Sequence, residues 1–183
     1  KYDNYALSIS ATTRKKRPEE EAGKSYFFIS KDEFEKKIKE KDFLEYARYV
    51  ENYYGTPRRY VEEQLNSGKD VLLEIEIQGA MQVKKLMPDA LTIFVMPPKA
   101  EVLKERLVGR GTETAEVIDA RLKRAVEESE GIEQYDSILV NDDLNESVEK
   151  LHEIIQAHHN SSFRNIEFIN DIREGVKIFS EGE

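Results

Sequence analysis

The chain has 183 residues, of which 36% are charged, with a formal net charge of −9 and a pI near 5.1. That size fits one core, or one core with a small appended lobe, and the acidic balance disfavours nucleic acid and anionic membranes as partners, so any bound anion must meet a local cationic pocket. There is no cysteine, hence no disulfide and no thiolate metal site, and no apolar run is long enough to span a bilayer. These features fit a reducing cytosol.

In chain order, the first apolar run without alternation is "ALSIS" at 6–10, followed by "VLLEIEI" at 71–77, "TIFVM" at 92–96 and "SILV" at 137–140. Runs of this kind predict strands of a parallel sheet covered by helices on both faces. Four cations (Arg14, Lys15, Lys16, Arg17) follow the first run, then three glutamates at 19–21. By itself such a stretch is either a solvated loop or an anion site.

Residues 25–54 interrupt the α/β alternation. "SYFFI" reads as a strand, and Ser30 with Glu33 has the spacing of a helix N-terminus. "FLEYARYVENYY" then alternates with a period of two, which predicts one strand of a sheet with a wet face, suited to forming a cleft wall. On that period Glu45 shares a face with Phe43 and Ala47. Gly55 suggests a tight turn flanked by the hydroxyls of Tyr54 and Thr56, and a helix is expected from Thr56-Pro57 to Gly68.

Glu74 and Glu76 lie two apart near the carboxyl end of a strand, so they share a face at the place where open α/β sheets bind ligands. Buried carboxylates need a donor or an opening to water, and both a structural ion pair and a ligand meet that need. Further on, Val102, Leu103, Arg106 and Leu107 have helical spacing, and Arg106, Arg110 and Arg121 bracket a Gly-rich turn. Arginines on a hinged segment suit a phosphoryl group, although a charged helix hairpin facing water has the same composition. A last stripe (Leu144, Val148, Leu151, Ile155) predicts a helix carrying three solvent-facing histidines without a metal role, and the tail after 158 suggests one more amphipathic helix weakened by Gly175.

Taken together, "SISATTRKKRPEEEAGKSYFF", "FLEYARYVENYYGTP", "VLLEIEIQGA", "RLVGRGTET" and "VNDDL" resemble the bacterial-type guanylate kinase family, in family order, from the start of the chain to about residue 157. The resemblance implies an α/β fold of the P-loop-kinase type: a parallel sheet flanked by helices, an inserted mixed β-sheet lobe over 11–68 that binds GMP, a helical lid over 101–125, and a tail over 158–183. It also implies transfer of phosphate from ATP to GMP, with Mg²⁺ bound alongside ATP, in the cytoplasm.

By the same resemblance Arg14 and Arg17 turn inward and hold the GMP phosphate with Tyr26 and Tyr54, while Lys15 and Lys16 stay in water and Glu19, Glu20 and Glu21 belong to the outer loop. Ser10, Glu45, Thr56 and Glu76 surround the guanine, and Glu74 lies toward the magnesium and phosphate side. Arg106, Arg110 and Arg121 close over ATP, and Asn141 lies on the adenine side. The family's phosphate loop, G-x-x-x-x-G-K-[ST], does not occur in these residues, since "GRGTET" lacks both the Lys and the spacing. The expectation is therefore that the parent protein supplies that loop before Lys1, that this chain alone transfers phosphate poorly, and that its sheet has one apolar edge unpaired. The alternative implied is a non-catalytic guanylate-kinase-like module that binds a phosphorylated or acidic peptide.

Overall fold

The computed structural model describes residues 1–49, 51–109 and 114–180. They form two compact units, Lys1–Ala90 and Leu91–Glu183, with α/β organisation in both.

In the first unit, β1 (Tyr5–Leu7) pairs in parallel with β6 (Asp70–Leu72), and the ladder closes where the Ser8 N–H donates to the Leu72 carbonyl, 3.0 Å. The expected longer strand over 71–77 stops at Leu72, because beyond Ser8 the first chain leaves to build a second sheet and offers no partner. That sheet has the order β3-β2-β5-β4, from Phe27–Phe28, Ala11–Thr12, Asn52–Pro57 and Phe43–Tyr49. It is mixed: β2 runs parallel to β3 and antiparallel to β5, and β4 pairs antiparallel with β5 from Tyr49↔Asn52 to Phe43↔Pro57.

The alternating run over 43–54 is thus a hairpin and not one strand. Period two continues on both sides of the reversal, so alternation alone does not mark it. A register shift between Phe43 and Glu45 also separates two residues expected on one face. Such a bulge turns Phe43 toward α1 (Lys31–Lys39), where Phe34 is fully buried and stacks on Phe43 and Tyr53 at centroid distances of 4.4 and 5.2 Å. Ala11 completes this cluster. Ser30 caps α1 as the sequence implied, its hydroxyl accepting from the Glu33 N–H at 3.1 Å.

Gly55 sits inside β5 and not in a turn. A Cβ there would come 3.0 Å from Phe34 and 3.1 Å from Phe43, so the stacked rings require its absence. Helix α2 (Arg58–Asn66) follows Pro57 and closes at Gly68, whose φ of +81° favours glycine. Helix α3 (Ile77–Leu86) begins right after Glu76. Its Val83 joins Leu44 and Val61 in a second core cluster, with Val71, Leu73 and Ile75 packed alongside. The Gln82 amide bonds both the Tyr46 N–H (3.3 Å) and the Tyr46 carbonyl (2.8 Å), covering the outer edge of β4.

In the second unit β7 (Ile93–Met96) and β8 (Ser137–Val140) pair in parallel, residue for residue. At their start the Asp136 carboxylate accepts from both the N–H and the hydroxyl of Thr92, each at 2.8 Å. Helices α4 (Ala100–Gly109), α5 (Ala115–Ser129), α6 (Leu144–His159) and α7 (Ile166–Ser180) complete it. Helix α7 runs unbroken through Gly175. No helix among the described residues is long and apolar enough to cross a membrane.

In the parallel strands Leu7, Val95, Ile138 and Val140 are exposed, while Ala6 and Leu139 are buried. Two expectations on burial along α6 are corrected here. On α6, Leu144 is 71% exposed because it opens the helix at the capping residue Asp143, and the buried positions are Ser147 and Ile155. The three histidines are half-buried and not solvent-facing, with His158 set edge-on to Phe163 at 5.3 Å.

Candidate functional site

Two groups of side chains meet on one face of the mixed sheet. Residues opposite each other in an antiparallel pair share a face, so Thr12, Tyr54, Ala47, Glu45 and Thr56 line the side away from α1. Thr12, fully buried, spans the start of the cationic loop: its hydroxyl donates to the Tyr53 carbonyl (2.9 Å) and accepts from the Arg14 N–H (3.2 Å).

Arg14 is the only one of the four loop cations that the structure turns inward, with 17% of its side chain exposed. Its guanidinium lies 5.4 Å from the Tyr26 ring centroid and 5.8 Å from that of Phe28, and the Tyr54 hydroxyl is within hydrogen-bonding reach. Tyr26 and Tyr54 meet edge to face at 6.0 Å. The guanidinium fork is held by Glu20: Nη1 donates to Oε2 at 3.0 Å and Nη2 to Oε1 at 2.5 Å. Nη1 also donates to the Lys15 carbonyl at 2.8 Å.

Glu20 is therefore not an outer-loop glutamate. The Arg14 fork, with the Arg17 N–H donating at 2.8 Å, holds its carboxyl down at about 2, and the same bond raises Arg14. Arg17 meets Glu20 through its backbone while its side chain is exposed, as are Lys15, Lys16, Glu19 and Glu21. A Pro18 turn brings Glu20 back to Arg14 and leaves Arg17 at the outside. Burial pushes the Tyr26 phenol up, and the nearby Glu74 carboxylate pushes it further. It remains a neutral donor across the physiological range.

The second group lies two residues further along β5. Thr56, fully buried, donates its hydroxyl to Glu45 Oε1 at 2.6 Å. Glu45 is 4% exposed, and burial raises its carboxyl, with the Glu76 charge adding to the effect and the Thr56 bonds opposing it. Glu76 occupies the residue before α3 in an extended conformation, and its carboxylate does not cap that helix. Glu74 and Glu76 lie past the end of β6, on the segment joining it to α3, with Glu74 exposed and Glu76 half-buried. The strand expected there is absent, yet Glu74 lies near Tyr26 and Glu76 near Glu45. Ser10 closes this wall through its backbone, its carbonyl accepting from the Phe27 N–H at 3.0 Å.

In the second unit, Arg106 of α4 donates to the Asn141 carbonyl (2.6 Å) and the Asp142 carbonyl (3.2 Å), at the carboxyl end of β8. Asn141 continues that strand's ladder, its N–H donating to the Met96 carbonyl at 2.8 Å. Arg121 lies half-buried on α5, and Arg110 falls outside the described residues. Among the described residues no group of three or more His, Cys, Asp or Glu is arranged to hold a metal ion.

The residues that sequence reading missed are Glu20, Thr12 and Gly79. Glu20 pairs across a loop without periodicity, so no local pattern marks the contact.

Comparison with known proteins supplies an independent line. The guanylate kinase family model matches residues 1–158. Guanylate kinase from Lactococcus lactis is 49% identical over 176 residues, spanning 96% of this chain and 86% of that protein, so the match runs into α7. Guanylate kinase from Streptococcus thermophilus is 52% identical over 155 residues, spanning 85% and 74%. The crystal structure of guanylate kinase from Anaplasma phagocytophilum superposes with a TM-score of 0.75 at 33% identity, covering 87% of this chain and 79% of that one.

Proposed function

The chain belongs to the guanylate kinase family, and from that premise we propose how its residues share the work of the reaction. That reaction moves the terminal phosphate of ATP to GMP, giving ADP and GDP.

In the proposed acceptor site Arg14, Tyr26 and Tyr54 receive the GMP phosphate, with the exposed Arg17 closing from outside. A guanidinium offers paired N–H groups that match two phosphate oxygens, and neutral phenols add donors without more charge. Glu45, Thr56, Glu76 and Ser10 read the guanine. A carboxylate accepts together from guanine N1–H and the N2 amine, and a hydroxyl donates to O6. Adenine has an acceptor at N1 and no N2 amine, so it would leave a buried carboxylate unpaired, and sites of this kind reject the wrong partner by about 10⁴-fold in good cases.

One observation carries the reading. Tyr54 and Thr56 lie two residues apart on one face of β5, one beside the Arg14 cluster and the other bonded to Glu45. Two strand residues span about 6.8 Å, so a cation–phenol end and a carboxylate–hydroxyl end face the same space, as a nucleoside monophosphate requires.

Arg106, Arg110 and Arg121 are proposed to neutralise charge on the transferred phosphoryl group, with Asn141 near the adenine of ATP. Mg²⁺ is the proposed companion of ATP. The exposed Glu74 carboxylate suits it, because Mg²⁺ is commonly held by one or two carboxylates together with substrate phosphates and keeps its water. When bound it would offset phosphate charge. A cytoplasmic place in purine nucleotide metabolism completes the proposal.

The test is calorimetric titration of the chain with GMP and AMP. GMP binds and AMP does not. Equal affinity for both, or none for either, refutes the assignment of the two ends.

A further inference from the structure

We propose that Gly79 is a specificity-determining position: its missing side chain leaves the space that the Glu45 carboxylate occupies. The inference rests on the reading of Glu45 as the carboxylate that recognises guanine.

Gly79 is the third residue of α3 and is buried. Its backbone is not in the left-handed region, so conformational freedom does not account for it, and alanine is the better helix former. Space does account for it. A Cβ at 79 would stand 2.3 Å from Glu45 Oε2, 2.9 Å from its Cδ and 3.4 Å from its Cγ. The carboxylate would have to move.

Where it can move is limited. Glu45 is 4% exposed, and its other oxygen is bound to the Thr56 hydroxyl at 2.6 Å. A carboxylate is planar, so swinging Oε2 away from a methyl group carries Oε1 off Thr56. The clash therefore falls on the two atoms proposed to read the base, not on the packing of α3. The next residue, Ala80, carries a Cβ and is buried without difficulty, which places the requirement at 79 alone.

This predicts an unusual pairing of effects, with stability kept and selectivity lost. The experiment titrates GMP and IMP, which lacks the N2 amine, into the chain and into Glu45→Gln, Gly79→Ala and the double variant Gly79→Ala/Glu45→Asp, with a thermal melt of each. The unsubstituted chain prefers GMP. Gly79→Ala reduces that preference about tenfold or more, since the donor pair on guanine loses its acceptor. IMP binding changes much less, and the melting midpoint does not fall. The shorter side chain of Glu45→Asp clears the methyl group and restores part of the preference, an outcome that a purely structural glycine would not give. If Glu45→Gln loses the preference while Gly79→Ala keeps it, the role of Gly79 is overturned and the guanine reading stands. If Glu45→Gln keeps the preference, the guanine reading falls and the inference falls with it.

Discussion

Replacing Arg14 by alanine is the most direct probe of the proposed phosphate end, and the structure sets its expected size. A guanidinium has five N–H groups. Both on Nη1 are used, by Glu20 and the Lys15 carbonyl, and one on Nη2 goes to Glu20. Nε–H and the second Nη2–H, which lie side by side, serve neither Glu20 nor Lys15, and the guanidinium also bonds the Tyr54 hydroxyl. A phosphate that takes the place of that hydroxyl would meet two parallel donors while Glu20 stays in place. Hydrogen bonds to charged groups contribute about 1.5–3 kcal/mol, and a paired grip belongs in the upper half of that range. With about 1.4 kcal/mol per tenfold, Arg14→Ala should weaken GMP binding by roughly 40- to 140-fold. It also leaves the Glu20 carboxylate without its partner, facing the incoming phosphate, which adds repulsion to the lost contacts. Arg14→Lys keeps the charge but not the fork, so its loss should be intermediate. Lys16→Ala, at an exposed position in the same loop, should change the affinity by less than about twofold. The assay is calorimetric titration of GMP, with a thermal melt to confirm that each variant is folded. Equal losses for Arg14→Ala and Lys16→Ala would refute the division of the loop into one inward and several outward cations.

Three further outcomes follow from the same geometry. Glu45 has a raised carboxyl, so the folded chain holds that proton more tightly than the unfolded one, and the cost of its charge is present above the folded value and absent below about pH 4. Glu45→Gln, which still accepts from Thr56, should raise the melting midpoint at pH 7 and lose that advantage at pH 4; a lower midpoint at pH 7 would count against the sign. For Glu20 the sign is opposite, because a carboxyl held at about 2 stabilises the fold above its unfolded value near 4.3 and loses that effect as pH falls toward 2. Acid titration of stability should therefore be shallower in Glu20→Gln over this window, and an unchanged slope would show that the Arg14 pair contributes nothing in solution. Gly55→Ala should destabilise by about 1–3 kcal/mol in urea unfolding, since its Cβ meets Phe34, Phe43 and the Glu45 carbonyl within 3.1 Å. An unchanged midpoint would mean that the aromatic stack yields freely.

Much of the fold was legible because hydrophobic period and capping chemistry are local. Residues 137–140 form a strand as read, Ser30 caps its helix, and Gly68 stops another with the positive φ that the stop requires. What was not legible depends on partners distant in sequence. The strand over 71–77 ends at Leu72 because its neighbour turns away at Ser8, and no property of "EIEI" announces that. The hairpin at 43–57 hides because period two holds on each side of the reversal, although the face passes from odd to even residues there. Its bulge matters more than its turn. By separating Phe43 from Glu45 it lets one residue join the aromatic core while the other faces the opposite side.

The site divides the same way, and its electrostatics explain why the sequence was informative at all. Folding gains nothing from a buried acid such as Glu45 with a second acid beside it, since burial and the Glu76 charge make the Glu45 carboxyl harder to ionise. Chemistry of that kind stands out in a sequence because local folding rules do not produce it. Glu20 is the opposite case. Its pairing with Arg14 lowers the energy of the fold, as an ordinary loop salt bridge does, and so left no anomaly to read. Gly79 left even less, since a single glycine early in a helix has many causes. Only the 2.3 Å between a hypothetical methyl group and the Glu45 carboxylate distinguishes it. Residues that oppose stability were visible from the sequence, and those that position them became visible only with coordinates.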